Sequence, residues 1–159
     1  MNEVLKNDFT HLKIHSQYSI CEGAVKIDEL AEYAGVRAKV TAITEKAMAG
    51  EINFVEALEQ RVKLLKGLTV EQLTDCYNER IHLTQGARTL VKTMSALGST
   101  SAIVSGGFSF FADKIANDLG FNESYANELV FEGNTLSGAV KNPILDAVEK
   151  KIVLQKLCI

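Results

Sequence analysis

The tripeptide Ser105-Gly106-Gly107 stands between an apolar run, Ser101-Ala102-Ile103-Val104, and a helical pattern from Phe108 to Leu119. Two adjacent glycines let a backbone approach a ligand closely, and amides at a helix start favour an anion. A serine hydroxyl at the same place can donate to a phosphate oxygen. Lys150 would bring a cation to that anion, and Arg61 could hold a carboxylate bidentately. Read alone, each has a simpler explanation: a tight turn, a solvated lysine on a terminal helix, and a surface arginine.

The other reactive side chains give less. His11 and His15 are four apart, which in a strand puts them on one face and invites a metal, with His82 a distant third. Lys13 would share that face, and an ammonium does not belong in a cation site. No further ligands or orienting partners present themselves. Cys21, Cys76 and Cys158 have no spacing that ties any of them to a histidine, so a Cys-His nucleophile is unsupported.

These residues need elements to position them. From Lys26 to about Leu83 the apolar residues recur at helical spacing. Ile27, Leu30, Ala31 and Ala34 form one stripe, stopped at Gly35, and Phe54, Leu58, Val62 and Leu65 form a second, stopped near Gly67. A third runs from Val70 to about Glu79, with Thr69 as its cap. After Thr84 the rhythm becomes helix, strand, helix. Gly86 to Leu97 is amphipathic, the strand ends at Ser105-Gly106-Gly107, and the next helix is closed by Gly120. Ala126–Phe131 and Thr135–Val140 flank Glu132-Gly133-Asn134 as a hairpin. Asp146 to Leu157 is helical. Strands alternating with helices argue for a parallel α/β sheet with a helical insertion.

Bulk properties narrow the class. A chain of 159 residues with 47% apolar and 23% charged residues is of the soluble globular kind, with room for one domain of ordinary size. A net charge of −3 argues against a nucleic-acid or anionic-membrane surface. No apolar run reaches the length of a membrane span, and MNEVLKNDF has no apolar core of a secretory signal. Three isolated cysteines suit a reducing cytoplasm.

The blocks IDELAEYAG, VTAITEKAMAGEINFVEALEQRVKLLKGL, AIVSGGFSFFADKIANDLG, ANELVFEGNTLSG and PILDAVEKK resemble, in order, the phosphoserine phosphatase family of the haloacid dehalogenase superfamily. They run from about Ile27 to Lys156. The resemblance implies an α/β fold, an incomplete Rossmann-like core with a helical cap inserted after the first strand. The implied division is 1–26 as an N-terminal segment supplying the first strand, 27–83 as the cap and 84–159 as the core. It implies magnesium as cofactor and O-phospho-L-serine as substrate, hydrolysed to L-serine and phosphate in serine biosynthesis. Position by position, Ser105 matches the phosphate-binding serine, with Gly106 and Gly107 supplying backbone approach. Lys150 matches the lysine that neutralises phosphate and nucleophile, and Arg61 the arginine that holds the substrate carboxylate. Phe54 and Met48 match apolar positions near the substrate.

Two parts of the pattern are missing. The family's first motif is Asp-x-Asp-Ser-Thr, whose first aspartate is the phosphorylated nucleophile and whose second is the acid/base. Ungapped counting puts Ser16 and Tyr18 at those positions, and Val25 where a substrate-binding glutamate is expected. The fourth motif, Gly-Asp-Gly-x-Asn-Asp, is not reached before Ile159, so the core reads as truncated. Magnesium needs hard oxygen ligands from both motifs, and without them it is not expected to bind. Serine as nucleophile would need a base, and a phenol with an ordinary pKa of about 10 is a poor one. Weak or absent catalysis is expected, the alternative being a phosphate or phosphoserine binder.

FTHLKIHSQYSICEGAVKI resembles the opening of the bacterial DNA polymerase III alpha subunit, where a polymerase and histidinol phosphatase domain begins. Metal-binding versions carry a histidine where Lys13 stands. This resemblance covers about residues 9–27, so the chain reads as chimeric. A strand His11-Leu12-Lys13-Ile14 would fit the start of either fold. The expected partner is a small phosphomonoester, with no nucleic acid and no membrane, and self-association through an unpaired sheet edge.

Overall fold

The computed structural model describes residues 21–22 and 27–157. The expected strand His11–Ile14, the histidines 11 and 15, and Ser16, Tyr18 and Val25 lie outside them. Strand β1 (Cys21–Glu22) pairs antiparallel with β2 (His82–Leu83), so the chain enters and leaves the helical segment side by side.

Between those strands stand four helices: α1 (Ile27–Tyr33), α2 (Arg37–Met48), α3 (Phe54–Leu64) and α4 (Val70–Arg80). The apolar stripes fold as their spacing dictates. Leu30 and Ala31 of α1, Leu58 and Val62 of α3, and Leu73 and Cys76 of α4 are buried in one cluster. Burying each leucine contributes roughly 1.5–3 kcal/mol. Thr69 caps α4 in a reciprocal box: its hydroxyl accepts from the Gln72 N–H, and the Gln72 side chain accepts from the Thr69 N–H. Gly35 and Gly67 follow their helices with φ of 66° and 92°, left-handed conformations that glycine adopts without strain.

The remaining elements are α5 (Ala87–Ala96), β3 (Ala102–Phe108), α6 (Ser109–Leu119), β4 (Glu123–Asn127), β5 (Leu129–Glu132), β6 (Thr135–Val140) and α7 (Ala147–Leu157). β3 and β4 are parallel, joined by α6, whose inward residues Phe111, Ala112, Ile115, Ala116 and Leu119 follow the helical period. β5 and β6 form an antiparallel hairpin.

Two boundaries differ from the sequence reading. The strand does not end at Ser105; β3 runs on to Phe108, and the helix begins at Ser109. The pairing explains this, because Val104 faces Tyr125 and Phe108 faces Asn127. β3 thus uses Ser105, Gly106 and Gly107 where β4 uses Ala126 alone, and the tripeptide is a bulge rather than a turn. The segment Ala126–Phe131 is also not one strand. β4 ends at Asn127 beside β3, and β5 begins at Leu129 beside β6. The hairpin loop is Gly133-Asn134, since Glu132 pairs with Thr135, and Gly133 has φ of 59°.

The hairpin packs on the helical layer. Gly67 and Leu68 exchange backbone hydrogen bonds with Leu136, and the Val70 N–H donates to the Asn134 carbonyl. Gly138 sits against Lys63 and Lys66 with φ of 85°.

Candidate functional site

The bulge in β3 is held by side chains where the ladder lapses. The Asn127 amide donates to the Gly106 carbonyl at 2.9 Å, and the Gly107 N–H donates to Ser105 Oγ at 3.0 Å. Bulged backbone groups would otherwise lose their partners, so these bonds fix the shape. Ser105 uses an oxygen lone pair for this, which does not consume its hydroxyl hydrogen.

Two distant residues converge on the bulge. A Cβ placed on Gly106 would lie 3.5 Å from Lys150 Nζ and 3.5 Å from Phe54 Cζ. Phe54 comes from the first turn of α3, whose N-cap is Asn53, with Oδ1 accepting from the Glu56 N–H. Lys150 comes from the first turns of α7, where Asp146 Oδ1 accepts from the N–H groups of Val148 and Glu149. Glycine at 106 keeps this space clear of side chain. The helix α6 that follows starts without a side-chain cap, so its first amides stay available to an anion.

Asn127 is the residue that sequence reasoning missed. It is 1% exposed. Besides holding Gly106, it accepts from the Leu145 N–H at 2.6 Å, one residue before the cap of α7. One buried amide therefore ties the bulge to the segment that launches Lys150. A single asparagine between two strand-like runs carries no local signal for that.

The other expected residues are placed as follows. Arg61 lies on α3, half-buried, with Nε donating to the Ala57 carbonyl one turn back. Phe54 is 42% exposed, and Met48, the last residue of α2, is 84% exposed. His82 is exposed on β2. An open cleft of about 470 Å³ lies beside Phe54, lined also by Asn53, Val55, Glu56, Glu59 and Asp146. Three of these six residues, Glu56, Glu59 and Asp146, are acidic.

Among the described residues no group of three or more His, Cys, Asp or Glu side chains could hold a metal ion. Among the described residues no helix is long and apolar enough to cross a membrane.

Comparison with known proteins gives two affiliations. A family model described as the PHP domain matches residues 11–156. A phosphoserine phosphatase of Archaeoglobus fulgidus is 49% identical over 131 residues, which are 82% of this chain and 38% of that protein. Among solved structures, a haloacid dehalogenase family hydrolase of Salmonella enterica serovar Typhi superposes with TM-score 0.77 at 29% identity, over 82% of this chain and 45% of the other. A phospho-aspartyl intermediate analogue of phosphoserine phosphatase gives TM-score 0.72 at 37% identity, over 82% and 62%. The chain thus spans between about a third and two thirds of these relatives. The two affiliations overlap in sequence, and the fold of the described residues follows the phosphatases. The stretch 9–27 that resembles the polymerase and histidinol phosphatase domain lies almost wholly outside the described residues.

Proposed function

The chain belongs, by the span of the family model it matches, to the PHP-domain family, while its described residues carry the haloacid dehalogenase fold; from this premise we propose a phosphoserine-phosphatase-type site that binds a small phosphomonoester at the Gly106 bulge and turns it over weakly or not at all. O-phospho-L-serine is the substrate that the similarity to phosphoserine phosphatases favours.

The observation that carries the reading is the convergence of Lys150 and Phe54 on Gly106. A phosphate there would meet an ammonium, a serine hydroxyl and the uncapped start of α6. The Phe54 ring and Arg61 of α3 would face the serine half, the arginine taking its carboxylate. The acid-lined cleft would receive nothing from the phosphate itself.

Weak turnover rests on the sequence at the first-motif positions. The positions at which the resemblance expects two aspartates hold Ser16 and Tyr18. Without a carboxylate the phosphoryl group has no comparable acceptor, and magnesium loses carboxylate ligands. The family's magnesium, when bound, supplies charge neutralisation at the phosphoryl group.

The test is phosphate release from L-phosphoserine by the purified chain, with magnesium and with EDTA. Release no faster than the blank in both supports the reading. Release that EDTA abolishes contradicts the weak-turnover part, and would direct a search for a phosphorylated residue near Ser16 or Asp28. Among the described residues β3 is paired only with β4. Self-association through an unpaired sheet edge would be revealed by sedimentation at several concentrations.

A further inference from the structure

The helical layer touches the β3–α6 unit at the site and also away from it. The first is Phe54 against Gly106. The second is Tyr77 of α4, whose hydroxyl donates to Asp118 Oδ2 on α6 at 2.7 Å. The Tyr77 ring stacks on Phe111 of α6, with centroids 6.4 Å apart and planes 16° from parallel. Lys114 of the same helix sets its ammonium 5.5 Å from the Tyr77 centroid and 5.3 Å from that of Phe110. One tyrosine thus engages three residues, Phe111, Lys114 and Asp118, on successive turns of α6.

These contacts have a geometric consequence. The helical layer joins the rest of the chain through the two-residue ribbon β1–β2 and is bonded to the β5–β6 hairpin, and its seat on α6 is a further contact that sets its tilt. Phe54 projects from one end of that layer. β3 runs into α6 without a break, so α6 and Gly106 move as one piece. Fixing α4 on α6 therefore helps to set the height of Phe54 above the bulge.

We propose that Tyr77, through Asp118 and Lys114, is a positioning residue for the serine half of the substrate. It acts on the side chains of α3 and leaves the phosphate contacts alone. The inference rests on the phosphomonoester site described above. Two ligands separate the roles: inorganic phosphate uses only the bulge and Lys150, whereas L-phosphoserine also uses α3.

The experiment is calorimetric titration of the full chain with each ligand. Tyr77→Phe, which keeps the ring, lowers L-phosphoserine affinity about threefold, and Tyr77→Ala lowers it about tenfold. Phosphate affinity stays within about twofold for both, inside the spread of such measurements. Asp118→Asn keeps an acceptor and retains the affinity, while Asp118→Ala behaves like Tyr77→Phe. Equal loss for both ligands, or no loss for either, overturns the positioning role. An unaltered chain that binds neither ligand overturns the phosphate reading itself, and the inference falls with it. Thermal melting of each variant is recorded alongside. Should Tyr77→Ala unfold, the Asp118 pair carries the decision.

Discussion

Lys150 Nζ lies 3.5 Å from the point at which Gly106 would carry a Cβ. The two residues are 44 positions apart in sequence, and Asn127 spans the interval by holding Gly106 on one side and Leu145 on the other. A flexible lysine is thereby launched from a fixed point beside a strand that presents backbone only. That arrangement suits an anion close to the chain, and its parts can be tested one by one.

Gly106→Ala should fold normally, because its methyl meets Lys150 and Phe54 at ordinary van der Waals distance. Gly106→Leu should fold less well and lose phosphate binding, since its branches must displace both neighbours. Calorimetric titration with inorganic phosphate, beside thermal melts, checks both. Unchanged affinity in the leucine variant would remove Gly106 from the site.

Asn127→Leu removes both bonds and leaves the Gly106 carbonyl and the Leu145 N–H without them. Two unsatisfied groups cost about 2–6 kcal/mol together, and the loss should appear as a lower urea midpoint. Asn127→Asp keeps the acceptor for Leu145 but cannot donate to Gly106 when ionised. It should recover some stability at pH low enough to protonate the carboxyl, and a midpoint independent of pH would contradict that.

Cys76 is buried, and desolvation, assisted by the charge of Glu29, pushes its thiol up to about 11. The native state then keeps its proton where the unfolded chain has lost it. Stability should be fully present below the ordinary thiol range and fall as pH rises from about 9 towards 11. Urea midpoints at pH 8 and pH 10, compared with those of Cys76→Ala, check the sign. In a background of Cys21→Ser and Cys158→Ser, Cys76 should resist alkylation at pH 8 until denaturant is added.

Thr69→Ala should destabilise by about 1 kcal/mol, the ordinary worth of an N-cap. Gly138→Ala should cost more. Its φ of 85° is left-handed, and the new Cβ would stand 3.0 Å from that of Lys66. Both are read from urea midpoints. An equal loss for the two would mean that the hairpin shifts away from α3 and relieves the clash.

How much of this was legible followed from how local each cause is. Thr69 and Gln72 sit three residues apart, and the glycines that end α1, α3 and α6 lie at the ends of periodic runs, so the helices were readable. The tripeptide Ser105-Gly106-Gly107 looked like a turn because glycine pairs punctuate chains. It is a bulge because Phe108 finds Asn127 across a parallel pair, a partner that local pattern does not announce. The break at Glu128 has the same origin, since β4 and β5 answer to different neighbours. Of the candidate site, Gly106 and Lys150 were read from residue type, the resemblance supplied their roles, and the fold brought them together. Asn127 and the Tyr77–Asp118 bond stayed hidden, because their partners are 18 to 41 residues away.

The central claim is that Lys150 meets a phosphate at the Gly106 bulge. The most direct measurement is the affinity of the chain for L-phosphoserine before and after Lys150→Gln, at fixed low salt. A charge-assisted contact is worth about 1.5–3 kcal/mol, so the account predicts a loss of about ten- to a hundredfold with the fold intact. Binding by the unaltered chain that survives the substitution undiminished would contradict it.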